Sequence, residues 1–258
     1  MKIGMIGAES KHVEFFGIPV NKEKAFGKAR IESIWGGDTS RQRLACCCEE
    51  AAIDRIADTP GEVIDCSDAV IITLRNGALH TGYAIECIKK RKPVFIDKPF
   101  TANAKDALSI LKASEDYGTP FTGGSTLCFL PEIVKLSALD KQSACTELSY
   151  RADPDSPFGG WYFYGSHLTD LCSAICGTDA LYTRASVAEK ELVADVYYPY
   201  QSGKSGTSAA ETGSPRADTH SAKHFDHMED VPSCPIKKVR INSAPSLPYP
   251  TVKIKDTC

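Results

Sequence analysis

Short apolar runs alternate with amphipathic stretches through about the first 120 residues of the chain. Such runs are typical of strands buried on both faces of a parallel sheet, and the stretches between them have the spacing of connecting helices. Six strands are predicted, at residues 2–7, 29–35, 55–57, 68–74, 93–96 and 119–123. Four helices are predicted between them, at residues 11–18, 39–51, 78–90 and 103–117, and the first of these ends at Pro19. This order predicts an α/β Rossmann domain with a doubly wound parallel sheet over residues 1–123.

The pattern changes after about residue 124. Residues 144–152 and 190–198 alternate like strands of an antiparallel sheet, and residues 164–177 between them have helical spacing. This predicts a partial α+β substrate domain over residues 124–200. Residues 201–258 hold only eight Leu, Ile, Val or Phe residues, with six prolines and eight serines. Because so few apolar residues cannot bury a face, we expect a mostly unstructured tail there.

The composition is that of an ordinary globular protein, with 42% hydrophobic and 24% charged residues and a formal net charge of −3. This charge gives no reason to expect a nucleic acid or an anionic membrane as partner, and no apolar run is long enough to span a bilayer. The N-terminal pattern does not predict a secretory signal. Eleven cysteines without a disulfide framework predict reduced thiols in a cytoplasmic protein.

Two groups of residues have spacings that occur in metal sites. Cys172 and Cys176 lie four apart in a predicted helix, and His220, His224 and His227 lie in the tail. For the cysteines, packing as small apolar residues is the stronger interpretation, and for the histidines, solvation without a scaffold. We therefore predict no metal site.

The loop after the first strand carries part of a dinucleotide-binding fingerprint. Gly7 can make the tight turn, but Glu9 and His12 occupy the two later glycine positions of the G-x-G-x-x-G pattern. Ala8 continues the loop, and Ser10 can donate a hydroxyl hydrogen bond to a phosphate. Taken alone, the loop favours a phosphate site little more than a buried strand that ends in glycine.

Ligands of such a sheet bind beyond the carboxyl ends of its strands. Asp38 follows the second strand, where a carboxylate would meet a ribose hydroxyl, although a helix N-cap or turn aspartate explains it equally well. The other unusual strand-end residues are Thr73, Arg75, Asn76, Asp97, Lys98 and Pro99. Lys98, at the tip of a buried strand, would project its ammonium into the crevice, and a central strand end disfavours the alternative of a surface turn. Pro99 fixes the exit of the chain and can follow a cis peptide bond.

A second candidate group lies in the predicted helix of the second domain. His167 and Asp170 are three residues apart and therefore share a helix face, where the carboxylate can orient the imidazole and favour its protonated form. The pair suits proton transfer to or from a hydroxyl group. A buried structural histidine that caps the helix is the alternative.

Four segments together resemble the Gfo/Idh/MocA oxidoreductase family, namely KIGMIGAES (2–10), DAVIITLRNGALH (68–80), VFIDKPF (94–100) and GGWYFYGSHLTDL (159–171). The resemblance covers about residues 1–198. It implies a nicotinamide-binding Rossmann domain, followed by a domain with a large open antiparallel sheet. It also implies hydride transfer between NAD or NADP and a hydroxyl-bearing carbon of a sugar, cyclitol or related small molecule.

The resemblance also implies roles for individual residues. Asp97-Lys98-Pro99 matches the family's Glu-Lys-Pro motif, so Lys98 would contact both the nicotinamide ribose and the substrate hydroxyl. His167 matches the family's proton donor or acceptor, and Asp170 matches the aspartate that follows it. His80 matches the histidine that opens the helix after the fourth strand, and is placed among the cofactor-binding residues.

Three departures from the family pattern keep a second interpretation open. Phe163 stands where the family often has an aspartate, and Tyr162 or Tyr164 would have to supply a hydroxyl instead. The glycine fingerprint is degraded, and the tail replaces several strands, as in a truncated or frame-disrupted member. A non-catalytic dinucleotide-binding sensor, or an inactive enzyme, is therefore the alternative to a dehydrogenase. The expected partners are a polyol or sugar-like substrate and other copies of the chain.

Overall fold

The computed structural model describes residues 1–140, 145–188, 191–199, 236–243 and 250–255. Within these ranges the chain forms two sheets, each packed against helices. None of the helices in the described ranges is both long and apolar enough to cross a bilayer.

The first sheet has six parallel strands. They are β1 (Lys2–Ile6), β2 (Arg30–Trp35), β3 (Arg55–Ile56), β4 (Ala69–Ile72), β5 (Val94–Asp97) and β6 (Phe121–Gly124). Their order across the sheet is β3-β2-β1-β4-β5-β6, so the direction of winding reverses between β1 and β4. The prediction of a doubly wound Rossmann sheet is confirmed, and its crevice lies beyond the carboxyl ends of these two strands.

Helices cover both faces of this sheet. They are α1 (His12–Gly17), α2 (Arg41–Ala51), α3 (Pro60–Cys66), α4 (His80–Lys89) and α5 (Ala104–Tyr117). One core cluster joins α3, α4 and α5 to the sheet through residues such as Ile64, Ile88 and Ile110. A second cluster joins α1 and α2 to the sheet through Val13 and Leu44. The central strands β1, β4 and β5 are largely buried, which is why they read as continuous apolar runs, whereas the edge strands β3 and β6 are more exposed.

Helix α1 ends at Gly17, close to the end predicted at Pro19, but the chain keeps turning beyond it. A π-helical turn, Ile18–Lys22, continues directly from α1 with Pro19 in its first turn. Proline is tolerated at that position because its missing N–H would have no partner in the first turn of a helix. The helical turns therefore extend to Lys22 before the chain enters β2.

The second sheet has five strands. They are β7 (Cys145–Tyr150), β8 (Tyr182–Ala188), β9 (Glu191–Pro199), β10 (Ile236–Ser243) and β11 (Thr251–Lys255), in the order β11-β7-β10-β9-β8. Strands β7 and β10 are parallel and the other pairs antiparallel, so the sheet is mixed rather than wholly antiparallel. Helix α6 (Pro131–Asp140) precedes the sheet, and α7 (Tyr162–Cys176) packs on it through Leu168, Leu171 and Ile175.

The tail contributes two strands to the second sheet, and for these segments the prediction of an unstructured tail is wrong. In β10, Val239 and Ile241 are buried in the core of the second domain, while the residue between them, Arg240, is exposed. This short alternation is diluted when apolar content is averaged over residues 201–258. Most other residues of the tail, including His220, His224 and His227, lie outside the described ranges.

Candidate active site and dinucleotide cleft

The ends of β1 and β4 approach each other closely at Gly7. This residue has φ +106°, and a Cβ there would lie 2.6 Å from the Leu74 amide nitrogen and 2.9 Å from the Thr73 carbonyl carbon. The Thr73 hydroxyl donates to the Gly7 carbonyl at 2.8 Å. Only glycine satisfies both the backbone conformation and the contact. Thr73 is therefore a buried tie between the strands, whereas the sequence analysis placed it among the cofactor contacts.

Replacing Gly7 with alanine is expected to lower the free energy of unfolding by about 3 kcal/mol, because the new Cβ strains the backbone and meets Leu74. Gly82→Ala in α4 is the matched control. No atom lies within 4 Å of a Cβ at Gly82, so alanine should stabilise that exposed helix by about 1 kcal/mol. Urea unfolding of both variants measures the difference, and equal stabilities for Gly7→Ala and wild type would refute the role given to Gly7.

A cleft of about 390 Å³ opens beside this turn. Its lining residues are Glu9, Asp38, Thr39, Ser40, Arg43, Arg75, Asn76, Leu79 and Phe158. Asp38 is exposed at the end of β2, while Ser40 is the N-cap of α2 and its hydroxyl accepts from the Arg43 amide at 3.3 Å. Asp38 therefore has no capping role in α2, and its carboxylate is available to the cleft.

Glu9 brings a second carboxylate to the cleft at the position of the second fingerprint glycine. Its side chain lies against Gly37, where a Cβ would come within 2.4 Å of Glu9 Oε1. The other oxygen, Oε2, is buried without a hydrogen-bond partner among the described residues. Burial raises the pKa of this carboxyl above its usual range. An unsatisfied acceptor beside Asp38 suits the hydroxyl groups of a ribose, so this end of the cleft fits the adenosine half of a dinucleotide.

Two arginines border the cleft in different ways. Arg43 is paired with Glu14 at 2.6 Å and donates to the Ser10 carbonyl at 3.3 Å. Arg75 donates to the Glu9 carbonyl, and its guanidinium lies 4.4 Å from the centre of the Phe158 ring. Both arginines therefore brace the loop that follows β1.

The remaining residues of this loop support it rather than enter the cleft. Ala8 is buried, and the Ser10 hydroxyl accepts from the His12 amide at 3.3 Å. His12, which the sequence analysis noted only as a missing glycine, forms a hydrogen-bonded pair with Asp97 through Nδ1. Asp97 thus links the end of β5 to the first loop.

His80 lies behind the cleft. Its imidazole is fully buried, with Nε2 2.7 Å from the Leu74 carbonyl oxygen and Nδ1 3.3 Å from the Phe100 carbonyl oxygen. Burial lowers the pKa of this imidazole. His80 therefore ties together the loops after β4 and β5, and its contact with a cofactor stays a prediction.

Lys98 is a buried cation at the end of β5. The Lys98–Pro99 peptide bond is cis, and Pro99 packs on Gly77, where a Cβ would lie 2.7 Å from Pro99 Cγ. The ammonium lies 4.5 Å from the centre of the Phe163 ring and 5.0 Å from that of Tyr164. Across the residues that the structure describes, the ammonium makes no hydrogen bond. Burial lowers the pKa of Lys98, and an ammonium held this way favours a ligand oxygen as partner.

Ser125 connects His167 and Asp170, and the sequence analysis did not identify it. The Ser125 hydroxyl lies 2.7 Å from His167 Nδ1. The backbone amide of Ser125 donates to Asp170 Oδ2 at 2.7 Å. The carboxylate therefore holds the backbone after β6, and the hydroxyl orients the imidazole. The prediction that Asp170 directly orients His167 is not what the structure shows.

The surroundings of His167 act against the protonated form that a neighbouring carboxylate was expected to favour. Burial and then the positive charge of Lys98 lower the pKa of His167 to about 4. Burial also raises the pKa of Asp170, whose Oδ2 accepts from the Ser125 amide rather than from the imidazole. His167 is therefore neutral at pH 7 and can accept a proton.

Replacing Ser125 with alanine is expected to reduce turnover by about 10-fold, since the imidazole loses the group that fixes its orientation. The affinity for NADH should stay unchanged. Ser125→Thr, which keeps a hydroxyl, should restore most of the rate. Steady-state kinetics with a separate NADH titration checks this, and a fully active Ser125→Ala variant would show that the contact has no part in positioning His167.

Lys98 and His167 both lie against the aromatic ring of Tyr164. Lys98 lies over this ring from the first domain, and the His167 ring centre is 5.8 Å from that of Tyr164. Asn76 of the first domain lies close to Gly159 of the second, since a Cβ at Gly159 would be 3.3 Å from Asn76 Oδ1. An ammonium from one domain and an imidazole from the other therefore both lie against the ring of Tyr164. The ring of Phe163 also packs against the Lys98 ammonium.

No group of three or more metal-ligating side chains is present in the described ranges. Cys172 lies inside α7 among the residues that form the core of the second domain. Its sulfur is 3.2 Å from the Tyr198 hydroxyl. This matches its interpretation as a packing residue.

Comparisons with known proteins fit this architecture. Residues 1–124 match the model of the Gfo/Idh/MocA oxidoreductase family, described as the NAD-binding Rossmann fold. No curated protein matches the sequence significantly.

Solved structures resemble the chain along nearly its whole length. A probable dehydrogenase from Thermotoga maritima has a TM-score of 0.69 at 16% identity, over 100% of this chain and 73% of that one. An oxidoreductase from Agrobacterium radiobacter in complex with NAD⁺, L-tartaric acid and magnesium has a TM-score of 0.66 at 16% identity, over 100% and 72%. The WlbA dehydrogenase from Chromobacterium violaceum, in complex with NADH and UDP-GlcNAcA, has a TM-score of 0.67 at 13% identity, over 99% and 71%. At these identities the likeness shows a shared fold.

Proposed function

From an N-terminal domain that belongs to the Gfo/Idh/MocA oxidoreductase family and binds NAD or NADP, we propose that this protein is a dehydrogenase acting on a CH–OH group. Its substrate is a sugar, a cyclitol or a related small hydroxylated molecule. The observation that carries the proposal is the approach of Lys98 and His167, from two domains, to the same ring beside the cleft. Two structural neighbours hold a nicotinamide cofactor together with tartaric acid or a nucleotide sugar, which agrees with this substrate class.

Each residue has a defined part in this reaction. Bound NAD⁺ supplies the chemistry of hydride acceptance. His167, with its ring proton on Nδ1 directed at Ser125, accepts the hydroxyl proton at Nε2. Lys98 donates a hydrogen bond to the same oxygen and stabilises the negative charge that develops there. Asp170 is a positioning residue, because it acts on the backbone of Ser125.

The free protein holds His167 in the form from which oxidation starts. A neutral imidazole can take a proton from a carbinol, and the low pKa of His167 keeps it neutral through the physiological range. Reduction of a ketone starts instead from the imidazolium.

We further propose a preference for NAD over NADP. Asp38 and Glu9 place two carboxylates in the cleft, and both repel a 2′-phosphate. Arg43 lines the same cleft and could balance that charge, but it is paired with Glu14 at 2.6 Å. Titration with NADH and NADPH should give at least about 10-fold tighter binding of NADH.

Phe163 favours a second candidate, a dinucleotide-binding protein without turnover. Its ring covers the Lys98 ammonium at 4.5 Å, where the family often has an acidic residue. Quenching of the fluorescence of Trp35 and Trp161 by NADH measures binding, and NAD⁺ reduction across a panel of sugars and cyclitols measures turnover. Binding with turnover supports the dehydrogenase, binding without turnover supports the second candidate, and no binding rejects both.

A further inference from the structure

A smaller cleft in the second domain adjoins the dinucleotide cleft. Its volume is about 250 Å³, and its lining residues are Arg151, Ala152, Asp153, Ser156, Phe158, Phe163 and Tyr164. Phe158 lines both clefts, so the two meet at this ring. The volume lies below the usual range for ligand pockets and therefore suits a small molecule.

Arg151 is held in place within this cleft by Tyr164. Its guanidinium lies 4.3 Å from the centre of the Tyr164 ring, and Nη2 donates to the Tyr164 hydroxyl at 2.7 Å. Within the described ranges Arg151 has no carboxylate partner at ion-pair distance. A guanidinium has five N–H donors, so a fixed, unpaired fork retains most of them for a ligand.

Two further cations surround the same aromatic residues. Lys98 lies over Phe163 and Tyr164, and Arg75 lies over Phe158. Burial lowers the pKa of Lys98, the charge of Asp97 acts the other way, and the charges of Arg75 and Arg151 add to the lowering. Positive charge therefore converges where the two clefts meet.

The acidic groups nearby are already engaged or exposed. Asp97 is paired with His12, and Asp153 is an exposed residue whose Oδ1 accepts from the Asp155 amide at 2.9 Å. Asp153 lines the cleft and the charge of Asp97 acts on Lys98, so both reduce the positive charge there, but neither forms an ion pair with Arg151. A neutral polyol would leave Arg151 without a counter-charge, whereas an anionic one would supply it.

We propose that the substrate is a small hydroxy acid of the sugar-acid class, with its carboxylate bound by Arg151 and its reacting hydroxyl directed at Lys98 and His167. The proposal rests on the dehydrogenase function above and names the substrate class of that site. The planar fork of Arg151 matches a carboxylate in two parallel hydrogen bonds. Lys98 and Arg151 both lie against the Tyr164 ring, which places the two cations near each other.

Calorimetric titration of the full chain with saturating NADH tests this inference. The ligands are gluconate and glucuronate, the neutral glucose and myo-inositol, and glucose 6-phosphate. The sugar acids should bind at least about 10-fold more tightly than the neutral compounds, and Arg151→Gln should weaken the acids by about 10- to 100-fold while leaving the neutral compounds unchanged. Arg184→Gln is the matched control, because Arg184 lies 5.7 Å from the Tyr182 ring on strand β8 and should leave all affinities unchanged.

The outcomes separate this inference from the proposed function. Acids that bind no better than neutral polyols, or that bind Arg151→Gln as well as wild type, overturn it even if NADH binds. Tighter binding of the phosphate ester than of either acid also overturns it, in favour of a phosphorylated substrate. If NADH does not bind, the proposed function fails, and the same ligands are titrated into the protein alone, where the dependence on Arg151 still decides the carboxylate site.

Discussion

Replacing Lys98 with methionine is expected to lower kcat by about 10³-fold, because the developing alkoxide loses its cationic partner in a site of low polarity. Methionine keeps a long apolar stem, so the packing against Phe163 and Tyr164 should change little, and NADH should bind no more than about 10-fold more weakly through loss of the contact with the nicotinamide ribose. The measurement is steady-state turnover of the substrate found in the screen, with fluorescence titration of NADH alongside.

A second readout of Lys98→Met does not depend on turnover. The Lys98 charge helps to lower the pKa of His167, so the variant should show a higher His167 pKa in an NMR titration. Lys112→Met is the control, since Lys112 forms an exposed pair with Asp116 on α5 and should change neither quantity. Full turnover in Lys98→Met, together with an unmoved His167 pKa, would place the ammonium outside the reaction.

Replacing His167 with glutamine should lower kcat by about 10²- to 10⁴-fold, because no other side chain at this position accepts the hydroxyl proton. Glutamine keeps a polar group near Ser125, and NADH binding should be retained. Ser166→Ala on the same helix is the control, since it removes a hydroxyl with no hydrogen-bond partner among the described residues. A His167→Gln variant with wild-type kcat would remove the imidazole from the mechanism.

The same substitution has a signature in stability. His167 has a folded pKa of about 4, below the 6.5 of a free histidine, so the unfolded chain takes up its proton first as pH falls. The contribution of the neutral imidazole is complete above pH 6.5 and is lost between about pH 6.5 and 4, with a total on the order of 3 kcal/mol. Urea unfolding of wild type minus His167→Gln should show this loss across that window. A difference that is flat with pH would contradict the buried, neutral state.

Local pattern was sufficient to predict the first domain. Strands buried on both faces leave continuous apolar runs, and the chemistry of a parallel sheet collects at its strand ends, so Gly7, Asp38 and Lys98 could be found from their positions. His12 could not be paired with Asp97 in the same way. The two residues belong to loops after different strands, and their contact depends on how the sheet brings those loops together.

The second domain was harder to predict because its decisive contacts cross between elements. Ser125 lies after β6 without any motif, yet it holds both His167 and Asp170 of α7. A spacing of three residues correctly placed those two on one helix but gave no information about a third element between them. Burial, which decides the charge of His167, is likewise a property of the packed domain and not of the local sequence.

A crystal structure of the full chain with NADH and a sugar acid would show whether Lys98 and His167 bind the same substrate hydroxyl. We expect the nicotinamide ring to lie where the two clefts meet, with the reacting hydroxyl within hydrogen-bonding reach of Lys98 Nζ and His167 Nε2. A nicotinamide placed away from Tyr164, or a Phe163 ring still covering the ammonium with the substrate bound elsewhere, would contradict it.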